Sequence, residues 1–218
     1  MAHKARSLSL VVSFLVLAGS CVSSTGLWAA DSPWKLRVKE DGITVYTRKV
    51  EGSPILQFKS DMIVNAPLDK VVRFFENEKI IPQWFHQCTR AELLETNGSD
   101  QKVLYFVVHL PWPVTERDSV FRRVRTTDRS TGTVTFFATA LPERLPVAKG
   151  KIRVQALDST WKFTPLAGDR TEVYFDQHSD PGGFIPPFIV NKLVVDMPLN
   201  SFRNMRKMIF EADKKQPE

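Results

Sequence analysis

Alternating apolar and polar residues fill the middle of the chain, and helical spacing is confined to two segments. Residues 35–39 and 43–48 alternate on either side of Asp41-Gly42, a pair suited to a tight hairpin turn. A third alternating run covers 55–64 and stops at Ala66-Pro67. Asn65 is placed to cap the next segment, where Leu68, Val71, Val72, Phe74 and Phe75 recur at helical spacing as far as about Glu78. Trp84-Phe85-His86 follows as an aromatic cluster. Runs at 91–95 and 102–108 flank Asn97-Gly98-Ser99-Asp100 and read as a second hairpin; the formal glycosylation sequon within it is explained by turn chemistry. Further strands are predicted at 119–127 and 133–140, joined through Ser130-Thr131-Gly132, then at 152–157 and 160–165 as a pair, and at 171–178.

The longest helical pattern comes last. Asp180-Pro181-Gly182-Gly183 reads as a sharp reversal, because proline fixes φ and glycine reaches backbone angles that other residues avoid. Pro187 suits the first turn of a helix. Val190, Leu193, Val194, Met197, Ser201, Met205, Met208 and Ile209 then keep helical spacing towards Lys214. Pro198 interrupts the pattern and predicts a kink or hinge. Three strands, a helix, many antiparallel strands and a final helix place the chain in the α+β class, a strongly curved antiparallel sheet with helices on one side.

Composition adds limits. The chain has 218 residues, 43% hydrophobic and 25% charged, which is ordinary for a globular protein. One domain is expected over 31–213, with a short polar tail at 214–218. The net charge of +6 comes without a long basic run, so no nucleic-acid arm is read; a basic patch for anionic lipid headgroups stays open. Residues 1–30 read as a signal peptide. Lys4 and Arg6 precede an apolar stretch at 8–18, too short to span a bilayer comfortably, and no acid occurs before Asp31. Losing that segment removes Lys4 and Arg6 and lowers the net charge from +6 to +4. Leu17-Ala18-Gly19-Ser20-Cys21 is similar to a bacterial lipoprotein signal with an acylated cysteine; the alternative is ordinary cleavage near Ser24 or Ala29-Ala30. Both imply export, to a periplasmic location, and both leave Cys88 without an intramolecular partner. No Gly-x-Ser-x-Gly elbow, P-loop, His-Glu-x-x-His or Cys/His nucleophile is present, so no cofactor is expected. Asp176, His178 and Asp180 fall short of a four-ligand zinc set, and no metal is expected.

Three segments carry a family likeness: Pro111-Trp112-Pro113-Val114-Thr115-Glu116-Arg117-Asp118, Lys149-Gly150-Lys151-Ile152-Arg153-Val154, and Asp180-Pro181-Gly182-Gly183-Phe184-Ile185-Pro186. With Trp84, Trp161 and the proline inside the last helix, their order resembles the START domain of steroidogenic acute regulatory protein-related lipid-transfer proteins, nearest the phosphatidylcholine-transfer-like branch. The likeness covers about 34–209. It implies a helix-grip fold in which the sheet wraps the C-terminal helix around a tunnel for one lipid. It also implies a protein that binds and transfers its ligand without chemistry, as a monomer that touches membrane surfaces transiently.

The likeness implies that Arg117 meets a polar group of the ligand. The strand before it, Leu104-Tyr105-Phe106-Val107-Val108-His109, offers no carboxylate partner, so a role in fixing a loop or a local ion pair stays equally open. His109 and Arg153 are further candidates. His178 shares a strand face with Tyr174 and Asp176 and would meet a headgroup if that face is concave. Phe106, Val108, Phe121, Phe137, Trp161, Phe163, Phe175, Leu193, Met197, Phe202 and Met205 are candidate lining, and each is also an ordinary core residue. Pro198 is the candidate hinge of a gate, and Leu141 and Leu145 lie on a loop placed to help it open. Two other functions stay open: an enzyme on the same fold with His109 or His178 as acid–base, and a lipid-sensing interaction module.

Overall fold

Ten strands pair into one sheet in the order β1-β2-β3-β10-β9-β7-β6-β5-β4, with β8 attached beside β6. The computed structural model describes residues 32–214; the expected signal peptide, Cys21 within it, and the last four residues of the tail lie outside the described residues. β1 (Lys35–Glu40), β2 (Ile43–Arg48) and β3 (Gln57–Val64) come first, then α1 (Leu68–Glu76) and a short α2 (Ile81–Trp84). β4 (Cys88–Asn97), β5 (Gln101–Val108), β6 (Arg117–Thr127) and β7 (Val134–Ala140) follow. β8 (Ile152–Arg153), β9 (Ala156–Leu166), β10 (Arg170–Asp180) and α3 (Pro187–Lys214) complete the chain. Every pairing is antiparallel except that of β8 with β6. This is the helix-grip arrangement.

Period-two alternation sends one set of side chains to a common face. Ile43 and Val45 on β2, Phe58, Met62 and Val64 on β3, and Val173 and Phe175 on β10 are all buried in one core. Trp161 and Phe163 on β9 and Val134 and Phe136 on β7 continue it. α1 adds Val71, Val72 and Phe75, and α3 adds Leu199, Phe202, Met205 and Ile209. Aromatic rings make its centre. Trp161 stacks on Phe175 at 3.8 Å, and Phe75 lies 5.0 Å from both Trp161 and Phe163. A smaller cluster of Val103, Tyr105, Val107 and Val120 sits on the opposite face of β5 and β6, with Leu141 packed against it. Register shifts in β1 and β4 mark bulges, which bend a sheet and increase its twist.

Four local expectations change. The residue before α1 is Pro67, with no side-chain cap, so Asn65 is not the cap: Pro67 is itself extended and the helix begins after it. Residues 152–157 and 160–165 are not a hairpin pair. β8 pairs in parallel with β6, and a new strand starting at Ala156 joins β7 to β10, because the bonds of Ile152 and Val154 go to Glu116 and Asp118. Trp84 closes a short helix that the aromatic cluster did not predict, and Lys214, read as the start of the tail, ends α3.

Phe175 is fully buried between Trp161 and Phe58, whose ring meets it edge-on at 4.9 Å. Phe175→Ala is expected to lower unfolding free energy by about 3–5 kcal/mol in urea denaturation, the range for large buried aromatics.

Candidate functional site

A cavity of about 200 Å³ is left between the concave face of the sheet and the first half of α3. Its floor is buried: Phe58, Phe75, Trp84, Arg123, Phe136 and Trp161. Its rim is half-exposed: Ile55, Leu56, Val108, Val154, Ile185, Leu193 and Met197. The lining is mostly apolar, with Gln87, Arg117, Ser119, Arg123, Ser159, Gln177 and Ser179 as its polar members.

Pro198 divides α3 by role. The α3 residues on the cavity are Val190, Leu193, Val194 and Met197, all before the proline. The polar ties from α3 to the sheet and α2 come after it. Ser201 Oγ accepts from the His86 amide at 3.0 Å, and Asn204 donates to the Trp84 carbonyl at 3.2 Å. Arg203 pairs with Glu40 at 2.7 Å and Asp41 at 2.9 Å, while Arg206 donates to the Asp41 carbonyl. A proline inside a helix removes one backbone hydrogen bond where the two halves meet.

Arg117 and Asp118 open β6 and, by alternation, point to opposite faces. Arg117, 2% exposed, donates to three carbonyls: Thr115 at 2.6 Å, Gly182 at 2.8 Å and Pro181 at 3.3 Å. It lines the cavity edge and fastens the loop before β6 to the reversal before α3. No carboxylate pairs with it among the described residues, and burial pulls its pKa down. Gly182 is needed here, with φ at +66° and a virtual Cβ only 2.7 Å from the Arg153 carbonyl.

On the other face, Asp118 is fully buried and accepts from Arg153 Nε and Nη2, both at 2.9 Å. It also accepts from the Ala148 amide at 3.2 Å and Tyr105 Oη at 3.4 Å. Arg153 donates onward to the Pro142, Leu145 and Pro146 carbonyls. Loop 141–148 is therefore laid over the outer face of the sheet. Burial pushes the Asp118 carboxyl up, but Arg153, the Ala148 amide and Tyr105 outweigh it and hold the group below the usual carboxylate range.

The structure brings Arg117, Phe106, Val108, Phe121, Trp161, Leu193 and Met197 together on the cavity. Phe175, Phe202 and Met205 are core residues off its lining. Others are turned away, and the cause is strand parity. Val173, Phe175, Gln177 and Ser179 of β10 face inward, so Tyr174 and His178 face outward; Tyr174 donates to Asp176 at 3.0 Å, and His178 meets Ser53 at 3.0 Å. Phe137 is 45% exposed because Phe136 and Ala138 hold the inner positions. His109 lies past the end of β5, exposed beside Glu116. Neither imidazole reaches the cavity, which removes the geometry of an acid–base pair built on them. Leu141 and Leu145 belong to the outer-face loop and not to the rim. Cys88 is buried and in no disulfide among the described residues, and burial pushes its thiol up to about 12.

Sequence reasoning missed Arg123, on the same inward face as Arg117, Ser119 and Phe121. Its Nη2 donates to Glu78 Oε1 at 2.7 Å, and Lys102 Nζ reaches the same oxygen at 2.9 Å. Burial pushes the Glu78 carboxyl up, but these two cations and its own backbone amide prevail and hold it down. The spacing from Phe121, a candidate, was the available signal.

A family model for the START domain matches residues 20–215. An uncharacterized protein of Pseudomonas aeruginosa is 35% identical over 196 residues, covering 90% of this chain and 96% of that one. Mouse phosphatidylcholine transfer protein is 26% identical over 189 residues, covering 84% and 86%. The solved structure of a STAR-related lipid transfer protein from Xanthomonas axonopodis superposes with a TM-score of 0.75 at 32% identity, covering 81% of this chain and 98% of that one.

Removing the Asp118 charge leaves the buried Arg153 without its carboxylate partner. Asp118→Asn is expected to cost about 3–5 kcal/mol at neutral pH in chemical denaturation. The folded-state pKa of Asp118 is depressed, so its contribution is full above the unfolded value and fades as pH falls. The gap between wild type and variant should therefore narrow below about pH 4.

Proposed function

The chain belongs to the START domain family, and from that premise we propose that it binds one lipid or similar hydrophobic ligand in the cavity under α3 and carries it between membranes. The reading is non-enzymatic: the protein extracts, shields and releases. The observation that carries it is the division of α3 at Pro198. An apolar space is roofed by the half of the helix that makes no polar tie to the sheet or α2 among the described residues, beside the half that makes several. Roofing spares the ligand's apolar surface from water, at roughly 25 cal/mol per Å². The relatives named as lipid-transfer proteins support the same reading. The basic and apolar pattern of residues 1–30 supports a site of action outside the cytoplasmic membrane, with acylation of Cys21 as the tethered form.

The loops that Arg117 joins support a reading in which this end faces the membrane. The loop holding Trp112 and the reversal into α3 share its guanidinium as a clamp. Trp112 is 91% exposed, Phe184 81% and Phe188 74%. Aromatic side chains of this kind favour the bilayer interface. Phe184 precedes, and Phe188 lies in the first turn of, the half of α3 that must move for a ligand to pass.

Mass spectrometry of lipids that co-purify with the protein, with transfer measured between labelled and unlabelled vesicles, tests the reading. One bound amphiphile per chain and transfer above the spontaneous rate are expected; neither, over a broad lipid panel, would refute it. Replacing Trp112, Phe184 and Phe188 together by alanine should slow transfer several-fold while leaving the amount of bound lipid unchanged.

A further inference from the structure

Resting on the lipid-binding reading and on acylation of Cys21, we propose that the tether leaves the fold at the same end as the cavity mouth, so that the protein loads its ligand from the membrane that holds its own anchor. Strand register defines that end. Across the sheet it is marked by the pairs Arg48 with Gln57, Phe58 with Gln177, Ala156 with Asp180, Phe121 with Ala140, and Val108 with Arg117. The rim residues belong to it: Ile55 and Leu56 lead into β3, Val108 closes β5, and Ile185 follows the reversal after β10. The turns at Asp41-Gly42, 98–100 and 167–169 lie at the opposite, far end.

The chain enters the fold at the mouth. β1 runs antiparallel to β2 with Lys35 opposite Thr47, so β1 starts beside the end of β2. Ser32 is fastened there twice. Its Oγ accepts from the Lys49 amide at 2.8 Å and donates to the Lys49 carbonyl at 3.0 Å. The cations of Arg48 and Lys59 lie over the Trp34 ring, 4.7 and 4.8 Å from its centre. From Lys49 a short loop leads to the rim: Ser53 Oγ accepts from the amide of Ile55 at 3.1 Å. The same hydroxyl meets His178 at 3.0 Å, on the strand that runs into the reversal. α3 travels the other way, since Arg203 and Arg206 reach Asp41 at the far end.

Chain length gives this placement its consequence. Cys21 and Ser32 are eleven residues apart in the sequence, at most about 36–40 Å of chain. β6, with 11 residues, is itself about 36 Å long at roughly 3.3 Å per residue. A tether attached at the far end would be used up along the sheet before the mouth met the bilayer. Attached at Ser32, it spends none of its length that way. The exposed rings of Trp112, Phe184 and Phe188 then face the surface that holds the anchor. An anchor and an apolar contact at one end give two membrane attachments, the number that stable association needs.

The test couples the mature chain, beginning at Cys21, by a disulfide to a pyridyldithio phospholipid in vesicles. The vesicles are made from the radiolabelled total lipid extract of the producing cells. Cys88 is buried, with its thiol pushed up to about 12, so coupling is directed to Cys21. The comparison chain carries Cys21→Ser and Ser99→Cys, which moves the anchor to an exposed far-end turn. After timed incubation, reduction releases the protein and the label per chain is counted. Anchoring at Cys21 should load lipid about tenfold faster or more, because a tether of fitting geometry replaces free encounter by a high effective concentration. Equal loading of the two anchored forms, or faster loading through Ser99→Cys, would overturn the proposal. In cells that make the full chain, wild type should sediment with membranes and Cys21→Ser should not; a wild type that stays in the soluble fraction would overturn it as well. Untethered Cys21→Ser protein incubated with the same vesicles keeps the two readings apart. If it takes up no lipid, the lipid-binding reading itself fails.

Discussion

The concave face of a curved sheet has to be closed, and in this chain one helix closes it with its polar ties to sheet and α2, among the described residues, confined to the half after Pro198. After Pro198, α3 is locked by Phe202, Met205 and Ile209 in the core and by Ser201, Arg203, Asn204 and Arg206 at its flanks. Before Pro198 it offers Val190, Leu193, Val194 and Met197 to an incompletely filled space. A cavity is unfavourable for the fold, because its walls forfeit dispersion contacts that a packed core would make. The aromatic cluster around Trp161, Phe75 and Phe175 supplies stability elsewhere, so the space can stay available for a ligand.

The rest of the mouth depends on two neighbouring residues of β6. Because strand side chains alternate, Arg117 faces the cavity and Asp118 the outside. Arg117 ties the Trp112 loop to the reversal at Pro181-Gly182, and Asp118 with Arg153 ties down loop 141–148. The Arg-Asp pair is thus a pair of separate clamps, not an ion pair with itself. One clamp shapes the entrance and carries the exposed aromatic tips. The other stiffens the sheet behind it. Both clamps converge on the residues around Gly182, where a side chain would run into the Arg153 carbonyl.

Much of this was legible in the chain. Alternation placed most of the strands, turn chemistry at Asp41-Gly42 and 97–100 placed the hairpins, and helical spacing placed α3, which runs unbroken through Pro198. Strand parity was the weak point. Tyr174 and His178 were assigned to a face by their spacing from one another, but which face of β10 is concave depends on its partners β3 and β9, which lie far away in sequence. The same ambiguity exchanged Phe137 for Phe136 and hid Arg123. The pairing of β8 with β6 was unreadable for a related reason: a two-residue parallel contact leaves no periodic trace. Leu141 and Leu145 looked like a gate because their loop carries apolar residues, whereas the buried Asp118–Arg153 pair that draws it to the outer face is visible only in three dimensions.

The central claim is that the space beneath the first half of α3 is a binding site and not a packing defect. Ala138, on the lining, separates the two. A phenylalanine there would project a ring into that space. In a filled core the larger side chain would cost about 1–3 kcal/mol by overpacking. If the space is a ligand site, Ala138→Phe should fold with a melting temperature at or above that of wild type and lose both its co-purified lipid and its transfer between vesicles. A variant that folds equally well and still carries lipid at the wild-type rate would contradict the account.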